Sequence, residues 1–289
     1  MIKEIGISSC GLFNINLGGL LELHSEGIKY FELSTDASVY EIIDYKLLKH
    51  NADIAGVTPR SIHLPFQPFT HNDPSSLDEK IRVATVKLQT RILGFAKDAG
   101  FKIAVIHPSG EPISEEDREK RMAQAKKTLK ELADVAEKCG MVIAVENLPR
   151  TCLGRDSSDI LELISADDRL RVCYDTNHLL EENALDFIKA CGDKIVTLHV
   201  SDYDFLDERH WLPGEGKNDW QKIYNALSDA GYDGPWMYEV SRRTPASIKR
   251  TKKYLEISDF ATNAKEIFEN KPLTVIGTPK ENLPHWKNR

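Results

Sequence analysis

Leu170-Arg171-Val172-Cys173-Tyr174-Asp175-Thr176-Asn177-His178 runs from a short β-favouring segment straight into an acid and, three residues on, an imidazole. The same construction recurs along the chain. Tyr30-Phe31 gives way to Glu32, Ser61-Ile62 to His63 and Ala104-Val105-Ile106 to His107. Further on, Ile143-Ala144-Val145 ends in Glu146, Val196-Thr197-Leu198 in His199 and Met237-Tyr238 in Glu239. Taken singly, a carboxylate after a strand caps the next helix and a strand histidine is a satisfied core group. Seven such residues at equivalent positions ask for one cause. A closed parallel barrel supplies it, because its strand ends converge on one mouth, the usual place of the active site.

The rest of the chain agrees with a single (β/α)8 TIM barrel. Strand candidates lie at 2–8, 29–34, 60–65, 102–107, 141–146, 170–175, 195–200 and 236–240, each short and rich in Val, Ile, Tyr or Phe, as strands covered on both faces are. Helical stripes separate them. Met122, Ala125, Leu129, Leu132 and Ala136 repeat at three and four, with Ser114 and Asp117 as a capping pair and Gly140 as the left-handed stop. Ile81, Ala84, Leu88, Ile92 and Phe95 form a second stripe before Ala99-Gly100. Trp220, Ile223, Leu227 and Ala230 form a third before Gly231. The competing arrangement is a doubly wound open sheet, but no Gly-x-Gly-x-x-Gly follows the first strand, so a dinucleotide fold has little support. Residues 1–270 are expected to form the barrel and 271–289, rich in Pro, Asn and Lys, a C-terminal surface tail.

Composition narrows the classes. The chain has 289 residues, ordinary for one barrel, with 41% hydrophobic and 29% charged residues. Its net charge of -7 argues against a nucleic-acid backbone as partner. No run is long and apolar enough for a membrane span, and the first residues lack the pattern of a signal peptide. Cys10, Cys139, Cys152, Cys173 and Cys191 are odd in number and widely spaced, which points to free thiols in a reducing cytoplasm. Homo-oligomerisation is compatible with the sequence.

Burying several carboxylates together is costly unless a cation compensates them. The three carboxylates and one imidazole on the last four strands suit a hard or borderline divalent ion such as Mn²⁺, Mg²⁺ or Co²⁺. Trp211 and Phe66 read as an apolar wall beside the mouth, or as ordinary loop packing. Arg150, Arg209, Lys217 and Arg242 are open to two readings, a phosphate or carboxylate clamp or solvated surface charge.

The local contexts carry a family resemblance. Val145-Glu146-Asn147, Tyr174-Asp175-Thr176-Asn177-His178, Leu198-His199-Val200-Ser201-Asp202, Pro213-Gly214-Glu215-Gly216 and Tyr238-Glu239-Val240 occur in this order. Over roughly residues 1 to 265 the chain resembles the xylose isomerase-like TIM barrel superfamily. That superfamily includes sugar epimerases, ketose isomerases, hydroxypyruvate isomerases, inosose dehydratases and apurinic-site endonucleases. The resemblance implies that Glu146, Asp175, His199 and Glu239 hold one divalent metal ion (Mn²⁺, Mg²⁺, Co²⁺ or Zn²⁺). It implies that Glu146 and Glu239 also move the substrate proton and that His178 bonds a substrate oxygen. His63, His107, Arg209 and Trp211 complete the expected substrate-binding set.

The expectation is a metal-dependent isomerase or epimerase of a small-molecule carbohydrate or similar hydroxy-ketone, acting through an enediolate in carbohydrate metabolism. One alternative is a dehydratase of a cyclic polyol or keto acid, of the inosose or 3-dehydroshikimate type. Another is a multi-zinc apurinic-site endonuclease, since Glu208 with His210 resembles that branch's acid-x-His zinc pair and His63 and His107 match two further ligands. Against it stand the Thr-Asn-His-Leu-Leu-Glu continuation after Asp175, the Val-Ser-Asp-Tyr after His199, and the lack of a dense basic run in the mouth loops.

Overall fold

Parallel strands in the order β7-β6-β5-β4-β3-β2-β1-β8 form the core of the computed structural model, which describes residues 2–10 and 14–288. They are β1 (Ile5–Ser8), β2 (Tyr30–Leu33), β3 (Thr58–His63), β4 (Ile103–Ile106), β5 (Val142–Glu146), β6 (Arg171–Asp175), β7 (Ile195–His199) and β8 (Trp236–Tyr238). The ring closes between β7 and β8, where the Val200 N–H donates to the Met237 carbonyl at 2.8 Å and the Glu239 N–H to the Val200 carbonyl at 3.1 Å. The chain is a single (β/α)8 TIM barrel. Because every pairing is parallel, all eight C-terminal ends open on one face. The β6–β7 register sets Asp175 beside His199.

Eight helices among the described residues wrap the barrel: α1 (Leu17–Ser25), α2 (Tyr45–Ala55), α3 (Glu79–Ala99), α4 (Glu115–Lys138), α5 (Ser157–Ile164), α6 (Ala184–Cys191), α7 (Trp220–Asp229) and α8 (Ile257–Phe268). On α4 the expected stripe is the buried one. The Ser114 hydroxyl oxygen accepts the Asp117 N–H at 3.2 Å, and Gly140 sits at φ 70°. On α3 the buried face is rotated by one residue from the expected stripe: Arg82, Thr85, Gln89, Ile92, Leu93, Ala96 and Ala99 face inward, while Ala84 and Phe95 are exposed. Partners distant in sequence make this possible. Glu79, Glu131 and Thr128 satisfy the Arg82 guanidinium, and Thr85 accepts the Asp73 N–H at 2.8 Å. No helix of the described residues is long and apolar enough to cross a membrane. All five cysteines are free thiols.

After α8 the chain returns to the mouth side. Strand β10 (Gly277–Pro279) pairs antiparallel with β9 (Ile248–Arg250). Farther on, the Trp286 N–H donates to the Leu206 carbonyl at 3.0 Å. Under this ribbon lies a fully buried ion pair. Arg250 Nε and Nη2 donate to the two Glu215 oxygens at 2.9 and 2.7 Å, and Nη1 donates to the Ser241 carbonyl at 2.9 Å. Removing one partner would strand the other charge. Glu215→Ala should therefore destabilise the fold by about 3–5 kcal/mol, read as a lowered denaturant midpoint. A shift within the error of the wild-type midpoint would mean that the pair carries no stability.

Candidate active site

The mouth encloses a cavity of about 220 Å³, and the residues at the strand ends make its floor. His63, His107, Glu146 and Glu239 line it directly. Glu32, Asp175 and His199 lie just beneath, fully buried. Glu146, Asp175, His199 and Glu239 bring one donor atom each within 4.8 Å of one another. The two glutamates of this group face the cavity and the other two do not.

His199 is held from both sides. Its Nε2 lies 3.0 and 3.1 Å from the Glu32 carboxylate oxygens, so the Nε2–H is donated across the barrel to β2. Nδ1 then faces Glu146 Oε1 at 3.1 Å, Glu239 Oε2 at 3.3 Å and Asp175 Oδ2 at 4.0 Å. A carboxylate behind a histidine is how metal-binding imidazoles are commonly oriented. Glu32 is itself fixed by the Ser61 hydroxyl, which donates to it at 2.7 Å.

Asp175 decides whether this donor set fits a cation. Asp175 Oδ1 accepts the Asn177 N–H at 2.6 Å, whereas Oδ2 is buried and accepts no hydrogen bond. Burial, together with the nearby Glu146 and Glu239 charges, pushes its carboxyl well above the usual range. Burial opposes the charge on His199 too, but Cys173, Glu239, Glu32 and Glu146 outweigh it and raise its pKa well above normal. Asp175 and His199 are thus held toward their protonated forms in a cluster whose carboxylates outnumber its imidazoles, a charge balance that a bound cation would supply instead. The residues fit a divalent ion.

Around this centre the donors continue. His63 Nε2 and His107 Nε2 both approach Glu146 Oε2, at 3.2 and 3.3 Å. Burial opposes charge on His63, yet Glu146 outweighs it and lifts that imidazole to about 9. His178 donates Nδ1–H to the Asn147 carbonyl at 2.9 Å, leaving Nε2 toward the cavity, 3.7 Å from Glu208. Burial lowers its pKa, so the Nε2 lone pair is an acceptor. His178, Glu208 and His210 form a second compact group of potential ligands.

A match of the xylose isomerase-like TIM barrel family model to residues 20–263 adds sequence evidence to this geometry. The chain belongs to that family. This xylose isomerase-like barrel is 31% identical to the D-psicose 3-epimerase of Enterocloster bolteae over 132 residues, 43% of this chain and 41% of that one. It is 25% identical to the inosose dehydratase of Lacticaseibacillus casei over 253 residues, 74% of this chain and 80% of that one. A solved D-tagatose 3-epimerase-like protein superposes with a TM-score of 0.78 at 21% identity, covering 93% of this chain and 98% of the other, a likeness of fold.

In this family member the cavity gathers Glu146, Glu239, His63, His107 and His178, but not Arg209 or Trp211. Both were expected to bind substrate, and both have their polar groups engaged elsewhere. Arg209 Nε donates to Asp204 at 3.0 Å and Nη2 to the Pro284 carbonyl at 3.1 Å. Trp211 is buried, with Nε1–H donated to the Ser247 hydroxyl at 3.0 Å. Both side chains anchor the C-terminal ribbon rather than the site. Phe66 does line the cavity, stacked on His107 with ring centroids 4.2 Å apart.

Sequence reasoning missed several supporting residues. Asn147 clamps the Asp175 backbone, accepting its N–H at 2.7 Å and donating to its carbonyl at 2.9 Å. The Asn177 side-chain oxygen accepts the Arg209 and His210 N–H groups, at 2.8 and 3.2 Å, and so orients the Glu208–His210 segment. Their places directly after Glu146 and two after Asp175 were the available signal. Asp202 accepts the Gly214 and Gly216 N–H groups and the Trp220 indole N–H, which explains the Pro-Gly-Glu-Gly motif. A Cβ at Gly216 would lie 2.3 Å from Asp202 Oδ1, so only glycine lets the loop close on that carboxylate.

Proposed function

We propose that this protein is a divalent-metal-dependent isomerase or epimerase of a small sugar or sugar-like hydroxy-ketone, working by proton transfer through an enediolate. The observation that carries this reading is the division among the four converging residues. Glu146 and Glu239 line the cavity, whereas Asp175 and His199 are buried beneath it. On this reading Asp175 and His199 only hold the ion, whereas Glu146 and Glu239 hold it and react. Glu146, Asp175, His199 and Glu239 would hold a divalent ion, which would supply electrophilic stabilisation of the negative charge developing on the substrate oxygens. One glutamate takes the proton from the carbon beside the carbonyl, and the other returns a proton to the neighbouring carbon or to the opposite face. His178 Nε2 accepts a hydrogen bond from a substrate hydroxyl, and Phe66 covers the carbon chain. The activities of the psicose epimerase and inosose dehydratase relatives support the same substrate class. We place the enzyme in cytoplasmic carbohydrate metabolism, a setting its free thiols suit.

The test is a screen of ketoses, inososes and 3-dehydroshikimate in deuterated water, followed by proton NMR. The expected result is loss of one C–H signal beside a ketose carbonyl, abolished by a chelator and restored by Mn²⁺ or Co²⁺. Loss of water from an inosose or 3-dehydroshikimate with no ketose exchanging would move the protein to the dehydratases. His178→Ala should keep its metal and slow turnover by about tenfold or more, because a buried orienting hydrogen bond is lost but no ligand. Metal loss in that variant would make His178 a ligand.

A second reading has its own observation. Glu146 Oε2 is shared by two imidazoles, and His178, Glu208 and His210 gather beside it. Three zinc ions held by these groups would suit phosphodiester cleavage, and counting metal per chain separates the two readings.

A further inference from the structure

The outer part of the cavity carries a cation with its hydrogen bonds already committed. Arg150 sits just past β5 with φ 58°, in the left-handed region that non-glycine residues rarely occupy without a reason. Its guanidinium lies among carboxylates. Nε and Nη2 donate to the two oxygens of Glu111 at 2.9 and 2.5 Å. Nη1 donates to Asp207 Oδ1 at 2.9 Å and lies 3.2 Å from Glu208 Oε2. Three acids therefore surround one base. Among the described residues lining the cavity, Arg150 is the only lysine or arginine, whereas Glu111, Glu146, Glu208 and Glu239 all contribute to the wall. Arg209, a second arginine of the mouth loops, donates to Asp204 and to the Pro284 carbonyl.

An incoming phosphate or carboxylate would meet this wall unfavourably. To clamp the anion, Arg150 would have to release a bidentate, charge-assisted pair with Glu111. Glu111 would then face the new anion without its cation. A hydroxyl group faces no such obstacle, since it donates to the carboxylates and leaves the guanidinium where it is.

We propose that Glu111 and Arg150 determine substrate charge: the captive guanidinium and its acidic neighbours admit an uncharged polyhydroxy-ketone and reject its phosphate ester. This rests on the ketose reading above and deepens it, turning an arginine that would otherwise mark a phosphate site into part of an anion-excluding lip.

The experiment compares D-fructose with its terminal phosphate monoester, binding to the Mn²⁺-loaded protein followed by calorimetry. Wild type should bind the neutral sugar at least about tenfold more tightly than the ester, since like-charge juxtaposition is strongly unfavourable. Glu111→Gln keeps the shape and removes one negative charge. It should raise the affinity for the ester relative to that for the neutral sugar by about tenfold. Adding Arg150→Ala to that variant should erase the gain. Equal or tighter ester binding by wild type overturns the proposal, and so does an unchanged ratio in Glu111→Gln. If neither compound binds, D-fructose is not the ketose concerned, the ketose reading is decided by the screen above, and the lip is tested separately with inorganic phosphate by phosphorus NMR. A gain in Glu111→Gln over wild type that disappears in the double variant supports the captive arginine. No gain overturns it.

Discussion

Glu146→Gln and Glu239→Gln should each lower exchange of the substrate α-proton by about 10²–10⁴-fold while retaining substantial metal. The amide keeps the side-chain shape and one coordinating oxygen but removes the basic site. The two variants should not be equivalent. Glu146 faces His199 with one oxygen and both His63 and His107 with the other. Its amide therefore places an N–H where an imidazole donor already points, and some metal affinity should be lost as well. Glu239 approaches His199 through one oxygen at 3.3 Å and should keep its metal better. Near-native exchange in both, on a confirmed substrate, would reduce the glutamates to ligands and end the proton-transfer mechanism.

Asp175→Ala should weaken Mn²⁺ binding by more than about a hundredfold, beyond the 10–100-fold typical when a supporting residue behind a ligand is lost. Its Oδ2 is buried without a hydrogen bond, with His178 Nδ1 3.5 Å away, and a cation held there would satisfy it. The alanine also leaves the Asn177 N–H without the Oδ1 acceptor. Asp175→Asn, which keeps that acceptor, is the companion variant. Titration calorimetry with Mn²⁺ and circular dichroism on both variants separate lost binding from lost fold. Wild-type affinity in Asp175→Ala would remove Asp175 from the ligand set.

The barrel and its mouth were readable in the sequence because the signal is local. An acid or imidazole directly after a β-favouring run marks both the strand and its C-terminal end. The Ser114 cap and the Gly140 stop are local in the same way. What stayed hidden depends on partners far away in the chain. The buried face of α3 includes Arg82 and Thr85, whose burial is made tolerable by α4 and by the segment near Asp73. Arg209 stands close to Pro213 in sequence, but Asp204 and the Pro284 carbonyl set its direction. Glu32 was visible as a strand end. Its hold on His199 Nε2 spans the barrel from β2 to β7, and no spacing rule encodes that.

The most direct measurement is the metal content of the native protein by elemental analysis, with Asp175→Ala prepared in parallel. About one divalent ion per chain, absent from the variant, is the expected result for one set of four converging ligands. About three zinc ions per chain would contradict it and favour the multi-zinc reading through His63, His107, Glu208 and His210, and a metal-free protein that still exchanges the ketose proton would contradict both.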